Sequence, residues 1–216
     1  MDDQIVNKYF KKTAKFAPIF QGVPFIRAII LNGSLAQGKI KETSDIDLLM
    51  IVQKGRLYTA RLFLIILGFL TGQKRSKDEN KPHAGKFCFN YFMTENYLQI
   101  PIGRGEEMDK YCAMNYSKSL LISGDTKIFD KFIKANKELF AKYNCDVATS
   151  AKVSDNNSTI KRIFERMLGG KFGDWLELRF KSLQIKLIEK DPRTKAFPEL
   201  IVCSDQEARF HPPKHS

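Results

Sequence analysis

The fold is decided by the stretch LNGSLAQGKIKETSDIDLLMIV, which occupies residues 31–52. An apolar run ends in the turn Asn-Gly-Ser, and a second apolar run begins within the acidic sequence Asp45-Ile46-Asp47. Apolar, β-prone runs on either side of a glycine turn predict a strand, a turn and a second strand. Because residues i and i+2 of a strand share a face, Asp45 and Asp47 are predicted to point together while Ile46 faces the core.

Two neighbouring carboxylates repel each other unless a cation lies between them. Mg²⁺ prefers oxygen ligands and typically takes one or two carboxylates together with substrate phosphates. Gly33 can adopt backbone angles closed to other residues, so a phosphate can lie against the turn, and Ser34 adds a hydroxyl donor. A Gly-Ser turn or an Asp-x-Asp strand end is uninformative by itself. Together they predict a site for a nucleoside triphosphate and a divalent metal held by Asp45 and Asp47.

This arrangement, with ten residues between Ser34 and Asp45, resembles the signature of the polymerase-β-like nucleotidyltransferase superfamily. The continuation Gly-Arg-Leu-aromatic-x-x-Arg, from Gly55 to Arg61, resembles a prokaryotic subset of nucleotidyltransferase domain-containing proteins. The resemblance implies that Asp45 and Asp47 hold Mg²⁺ or Mn²⁺. The remaining residues assigned to the triphosphate are Gly33, Ser34, Lys39 and Arg56. A salt bridge within the fold is an equally good explanation of Arg56.

The resemblance also directs attention to a third acidic position. Many relatives carry a third carboxylate on a later strand, and residues 86–93, KFCFNYFM, form the predicted strand here. The corresponding position is Asn90, whose amide offers a carbonyl oxygen to a metal but cannot act as a base. Strand alternation predicts that Asn90 points toward Asp45 and Asp47, and Glu95 is the nearest acidic candidate to replace the missing carboxylate. The predicted core face of this strand consists of Phe87, Phe89, Tyr91 and Met93.

The whole chain is predicted to be an α/β (α+β) protein. Residues 1–103 form a nucleotidyltransferase core with a small mixed sheet, and residues 104–216 form a mostly helical region with a basic tail. The predicted helices are 2–16, 57–70, 108–121, 126–143, 159–168 and 174–190. The last is predicted to bury Trp175, Leu176, Phe180, Leu183 and Leu187 and to pair Glu177 with Lys181. Residues 73–86 are predicted to form a mobile basic loop.

Composition limits the classes of protein that fit. The four cysteines are widely separated and there are only three histidines, which argues against a zinc site or a disulfide framework. The longest apolar run, residues 62–70, is too short to span a membrane, and the acidic start does not fit a signal peptide. A cytoplasmic protein without a membrane partner is therefore expected. The net charge of +12 suits an anionic partner, or solubility alone.

The predicted reaction is transfer of a nucleoside monophosphate from a nucleoside triphosphate to an acceptor. The acceptor is left open between a protein side chain, a small molecule such as an aminoglycoside, and an RNA end. One alternative is a nucleotide-binding module that has lost its chemistry, as Asn90 suggests. The other is a basic nucleic-acid-binding or toxin-partner scaffold, for which RNA binding with a steep salt dependence is expected.

Overall fold

A mixed six-stranded sheet organises the computed structural model, which describes residues 3–76, 82–103, 105–147, 159–196, 198 and 201–210. The spatial order of its strands is β4-β1-β2-β3-β6-β5. The pair β2–β3 is parallel, and the other neighbouring pairs are antiparallel. The predicted α+β class is therefore confirmed. The strands are β1 (Ile26–Leu31), β2 (Ile46–Val52), β3 (Phe87–Thr94), β4 (Leu120–Gly124), β5 (Ile201–Cys203) and β6 (Glu207–Phe210).

Helices cover both faces of this sheet. Helices α1 and α3 pack on one face, and α4, α5 and α6 pack on the other. Among the described helices, none combines the length and apolar character needed to cross a bilayer. The helices are α1 (Asp3–Gln21), α2 (Gly33–Ala36), α3 (Leu57–Leu70), α4 (Glu106–Ser117), α5 (Thr126–Ala135), α6 (Lys137–Lys142), α7 (Thr159–Met167), α8 (Gly170–Glu189) and α9 (Pro192–Ala196).

Strand β2 is buried on both of its faces. Leu48 and Met50 join the core with α1 and α3, whereas Leu49 and Ile51 join the core with α4 to α6. A strand covered on both sides is expected to be a nearly continuous apolar run, which is the sequence from Ile46 onward. The aspartates lie at the N-terminal end of this strand, where the apolar run has only begun.

Strand β3 departs from simple alternation at Asn90. Its register against β2 shifts between Phe89 and Tyr91, so that Asn90 is the extra residue of a bulge. Beyond the bulge Phe92 joins the same core as Phe87 and Phe89, while Tyr91 enters the opposite core. All four residues of the predicted core face are buried, but they do not share one face, because the extra residue places Tyr91 and Met93 in the core on the opposite side of the sheet from Phe87 and Phe89.

The second half of the chain supplies strands as well as helices. The predicted helix 108–121 ends at Ser117, and β4 follows it to pair with β1. The predicted helix 126–143 is divided at Asn136, whose amide accepts from Ile100 N–H at 2.7 Å and donates to Leu98 O at 2.8 Å. Near the end of the chain β6 pairs with β3, so the segments 1–103 and 104–216 share one sheet. Residues 211–216 of the predicted basic tail lie outside the described residues.

Helix α8 buries only part of the face predicted for it: Phe180 packs against the core and Leu176 is half-buried. Trp175, Leu183 and Leu187 are 51%, 51% and 57% exposed, so their predicted burial is wrong. The predicted pair is also absent. The carboxylate of Glu177 accepts from the backbone N–H groups of Tyr58 and Thr59, and Lys181 pairs with Asp205.

The segment after α3 is partly fixed to the sheet. Phe87 N–H donates to Gln73 O at 2.8 Å, and Arg75 N–H donates to Phe87 O at 2.9 Å. These bonds hold residues 73–75 against the start of β3. Residues 77–81 of the predicted mobile loop lie outside the part of the chain that the structure describes.

Candidate active site

The two aspartates come together at the start of β2, as alternation predicts. One ligand atom each from Asp45, Asp47 and Cys88 can be chosen so that all three lie within 4.8 Å of one another. Cys88 enters this cluster because it lies opposite Asp47 in the parallel pair β2–β3. Cys88 is not among the site residues predicted from the sequence. Its signal was the alternation that places residues 88 and 90 on one side of the strand.

The Gly-Ser turn is in direct contact with the acidic pair. Asn32 N–H donates to Asp47 O at 3.1 Å, which fixes the turn beside the start of β2. Gly33 has a φ of +72° and begins α2, and a Cβ atom built at this position would clash with Asp47 Oδ2. Both the backbone angle and the available space therefore require glycine here. Ser34 follows at the same turn and is half-buried.

Asn90 points at Asp47, as predicted. Its Nδ2 donates to Asp47 Oδ1 at 3.2 Å, and its own Oδ1 is buried with no hydrogen-bond partner among the described residues. Alternation along the first half of β3 places Asn90 on the same side of the strand as Cys88, and the bulge occurs at Asn90. The site therefore contains a carbonyl oxygen where the resemblance implied a third acid.

The thiol of Cys88 is a poor base and a poor nucleophile. Burial raises its pKa, and the negative charges of Asp47 and Asp45 raise it further, while Arg75 opposes them. The pKa lies above the usual range for a thiol, so Cys88 is protonated at neutral pH. Neither Cys88 nor Asn90 therefore offers a proton acceptor on β3.

Arg75 is a site residue that the sequence reasoning missed. Its Nη1 lies 3.0 Å from Asp45 Oδ2, so that a guanidinium offsets part of the charge of the acidic pair. The position follows from the bonds that hold residues 73–75 along β3. The only signal in the sequence was the basic character of this segment, which alone does not identify the contact.

Arg56 and Glu95 lie away from the acidic pair. They follow the C-terminal ends of β2 and β3, and the distance from Asp47 to Val52 along β2 is about 17 Å at the usual rise of a strand. Arg56 Nη1 pairs with Asp174 Oδ1 at 2.8 Å, which is the salt bridge within the fold that the sequence left open. Glu95 Oε2 lies 3.8 Å from Arg27 Nε. Neither Arg56 nor Glu95 therefore lies at the predicted triphosphate site.

Two further residues flank the turn. Lys39 N–H donates to Ser34 O at 2.8 Å, and the lysine is exposed. Asn32 is only 1% exposed, and neither its Nδ2 nor its Oδ1 has a hydrogen-bond partner among the described residues. Buried amides normally have such partners, so Asn32 is a polar group available beside the site. The sequence reasoning had treated Asn32 only as part of the turn.

The oxygen atoms at this site fit a hard divalent cation. Asp45 and Asp47 offer carboxylate oxygens, and the unpartnered Oδ1 of Asn90 is a carbonyl oxygen next to them. Mg²⁺ and Mn²⁺ prefer such ligands, whereas the protonated thiol of Cys88 suits neither of them. The residues present therefore fit the metal that the acidic pair predicted.

Comparison with protein families agrees with this site. The model of the nucleotidyltransferase domain matches residues 14–168, a range that includes the turn, both aspartates and the whole of β3. No match was found among curated proteins, and none among solved structures. The family match extends over more than half of the chain. The chain therefore belongs to the nucleotidyltransferase domain family, in agreement with its resemblance to the polymerase-β-like superfamily.

Proposed function

We propose that the protein transfers a nucleoside monophosphate from a nucleoside triphosphate to an acceptor at the Asp45–Asp47 site. The observation that carries this proposal is the direct contact between the glycine turn and the acidic pair, where a Cβ at Gly33 would clash with Asp47. A phosphate chain at this turn would be adjacent to both carboxylates. Membership of the nucleotidyltransferase family supports the same chemistry.

In this proposal Asp45, Asp47 and the Oδ1 of Asn90 hold Mg²⁺ or Mn²⁺, which when bound supplies positive charge to the triphosphate. Gly33 leaves room for the phosphates, and the hydroxyl of Ser34 donates to a phosphate oxygen. Lys39, exposed beside the turn, adds a further positive charge. Asn90 also holds Asp47 in place through its 3.2 Å hydrogen bond. Positioning and charge neutralisation supply most of the barrier reduction in such a reaction.

The bond changes are those of an in-line substitution. An acceptor oxygen forms a bond to the α-phosphorus, and the bond from the α-phosphorus to its bridging oxygen breaks. Pyrophosphate leaves with the electron pair, and a hydroxyl acceptor also loses its proton. Because Cys88 and Asn90 cannot accept that proton, it passes to Asp45, Asp47 or water.

A second candidate function is nucleotide binding without transfer. One observation favours it: β3 offers no proton acceptor beside the acidic pair, because Cys88 has a raised pKa and Asn90 is an amide. Metal-dependent turnover of nucleoside triphosphates separates the two candidates. A binding module would show metal-dependent affinity and no pyrophosphate release.

The test of the proposal is Asp47→Asn, with Asp130→Asn as a matched control on the exposed side of α5. Titration calorimetry with ATP and Mg²⁺ should show at least a tenfold loss of affinity for Asp47→Asn and none for Asp130→Asn. The apoprotein should keep its melting temperature, because the substitution removes a charge that repels Asp45. Unchanged affinity of a folded Asp47→Asn variant would overturn the metal assignment.

A further inference from the structure

A cavity of about 700 Å³ lies beside the acidic site. Arg75, Cys88 and Asn90 line it, and the same three residues contact or adjoin Asp45 and Asp47. Sites for small molecules usually have volumes of about 300–1,000 Å³. The cavity is therefore large enough for a second substrate and shares its wall with the predicted reaction centre.

The remaining wall is mostly apolar. It is formed by one side of α3, by the C-terminal half of α8 and by residues of β3, β5 and β6. Among the residues that line it are Ile65, Phe69, Phe89, Leu187, Ile188 and Phe210. A polar sugar or a nucleic-acid backbone would find few hydrogen-bond partners on these side chains, whereas an apolar molecule would bury them from water.

The charged residues of this wall are mainly basic. Arg61, Lys74 and Arg75 line the cavity together with a single acid, Asp191, among the described residues. Arg61 is the most informative of them. Burial lowers its pKa to about 10, so it remains a cation at neutral pH.

Arg61 has no carboxylate within ion-pair distance in the described part of the chain. Its Nη1 donates to Gln184 Oε1 at 2.5 Å, its guanidinium lies 4.6 Å from the centre of the Phe210 ring, and its buried Nε has no hydrogen-bond partner among the described residues. A desolvated cation of this kind attracts an anion more strongly than an exposed one does. The cavity therefore combines apolar walls with one uncompensated positive charge.

We propose that this cavity holds the acceptor, and that the acceptor is an apolar molecule with an anionic group that binds Arg61. This proposal rests on the proposed nucleotidyl transfer and names its second substrate by class. A hydroxyl or phosphate oxygen of that molecule attacks the α-phosphorus at the Asp45–Asp47 end, with pyrophosphate as the leaving group. A polycationic acceptor such as an aminoglycoside does not fit, because it would meet three basic residues and an apolar wall.

Three ten-carbon probes test the class of ligand: decanoate, decanol and decylammonium, each below its micellar concentration. Decanoate should bind at least tenfold more tightly than decylammonium, as measured by titration calorimetry. Arg61→Gln should lower the affinity for decanoate by about tenfold and leave the affinity for decanol unchanged. Equal binding of decanoate and decylammonium to the unmodified protein would overturn the proposal.

Helix α8 offers a matched pair of variants. Leu187 lines the cavity and Leu183 does not, although the two leucines are similarly exposed and lie one turn apart. Leu187→Asp should lower the affinity for decanoate at least tenfold, and the Leu183→Asp variant should bind decanoate as tightly as the unmodified protein does. Equal losses in the two variants would show adsorption to the exposed helix and would contradict the proposal.

A competition experiment separates this inference from the proposed function. ATP with Mg²⁺ and decanoate should bind together to the unmodified protein. Displacement of decanoate by ATP would show that the cavity receives the nucleotide, and the acceptor proposal would fail while metal-dependent nucleotide binding stood. Absence of Asp47-dependent ATP binding would overturn both, even if decanoate still bound.

Discussion

Gly33 is the residue on which the geometry of the site depends most directly. Its φ of +72° is unfavourable for other residues, and any Cβ would clash with Asp47 Oδ2. Gly33→Ala should therefore displace Asp47 and weaken Mg²⁺-dependent ATP binding more than Ser34→Ala does. The serine variant loses one hydrogen bond to a charged group, about 1.5–3 kcal/mol. Calorimetry compares the loss of ATP affinity in the two variants. If both variants bound ATP as tightly as the unmodified protein does, the phosphates would have to lie elsewhere.

Asn90 is the residue that tests whether catalysis lacks a third acid. Asn90→Asp replaces a hydrogen bond to Asp47 with a repulsion between carboxylates, so the melting temperature without metal should fall. With Mg²⁺ the extra carboxylate should raise metal affinity and the rate of pyrophosphate release. Thermal melts with and without Mg²⁺, together with a pyrophosphate assay, measure both effects.

Two variants make that experiment specific. Asn7→Asp adds the same charge at an exposed position of α1 and should leave the rate close to that of the unmodified protein. Glu95→Gln should also have no effect, because Glu95 lies at the other end of β3 and contacts Arg27. A fall in a measurable activity on Asn90→Asp would show that the amide is the functional ligand at this position.

At the scale of elements, Glu177 joins α8 to the first turn of α3. Its carboxylate accepts from Tyr58 N–H at 2.8 Å, from Thr59 N–H at 2.8 Å and from the Thr59 hydroxyl at 2.6 Å. A negative charge at a helix N-terminus also interacts favourably with the helix dipole. Glu177→Gln should lower the free energy of unfolding by about 2 kcal/mol. Urea denaturation measures this free energy. Glu189→Gln, at an exposed position of the same helix, is the control and should leave the free energy of unfolding unchanged.

The elements that were predictable from the sequence are those with local signals. Helix α3 matches its predicted bounds, Leu57–Leu70, because an apolar run is bracketed by Gly55 and Gly72. The contact of Asp45 with Asp47 also follows from local alternation. The bulge at Asn90 was not predictable in this way, because the register depends on how β3 pairs with β2.

Other errors have a similar physical cause. The apolar face of α8 was expected to be buried, but amphipathic periodicity does not specify how many neighbours a helix has. Arg56 follows β2 directly in sequence, yet the length of the strand carries it to the end opposite Asp47. Arg75 is distant from Asp45 in sequence and reaches it only because its segment is bonded to β3.

At the scale of the molecule, the two segments predicted as a core and a helical region depend on each other. Ile30 and Leu49 of β1 and β2 pack in one core with Tyr116, Phe129 and Phe132, which follow residue 104. Within the sheet, β4 pairs with the edge of β1 that faces away from β2, and β6 pairs with the edge of β3 that faces away from β2. A fragment of residues 1–103 would leave one apolar face of its strands exposed to water.

We therefore expect residues 1–103 expressed alone to lack a cooperative fold. The fragment keeps Gly33, Asp45, Asp47 and Asn90, but it loses the helices that bury the opposite side of β1 and β2. Fully burying one large apolar side chain contributes about 1.5–3 kcal/mol, whereas a whole domain is stable by only about 5–15 kcal/mol, so exposure of several such side chains should unfold the fragment. Thermal unfolding followed by circular dichroism, and the dispersion of amide signals in a ¹H–¹⁵N spectrum, compare the fragment with the whole chain. A sharp melt and dispersed signals from the fragment would show instead that the first 103 residues are an independent domain, with the later strands and helices added to a sheet that is already stable.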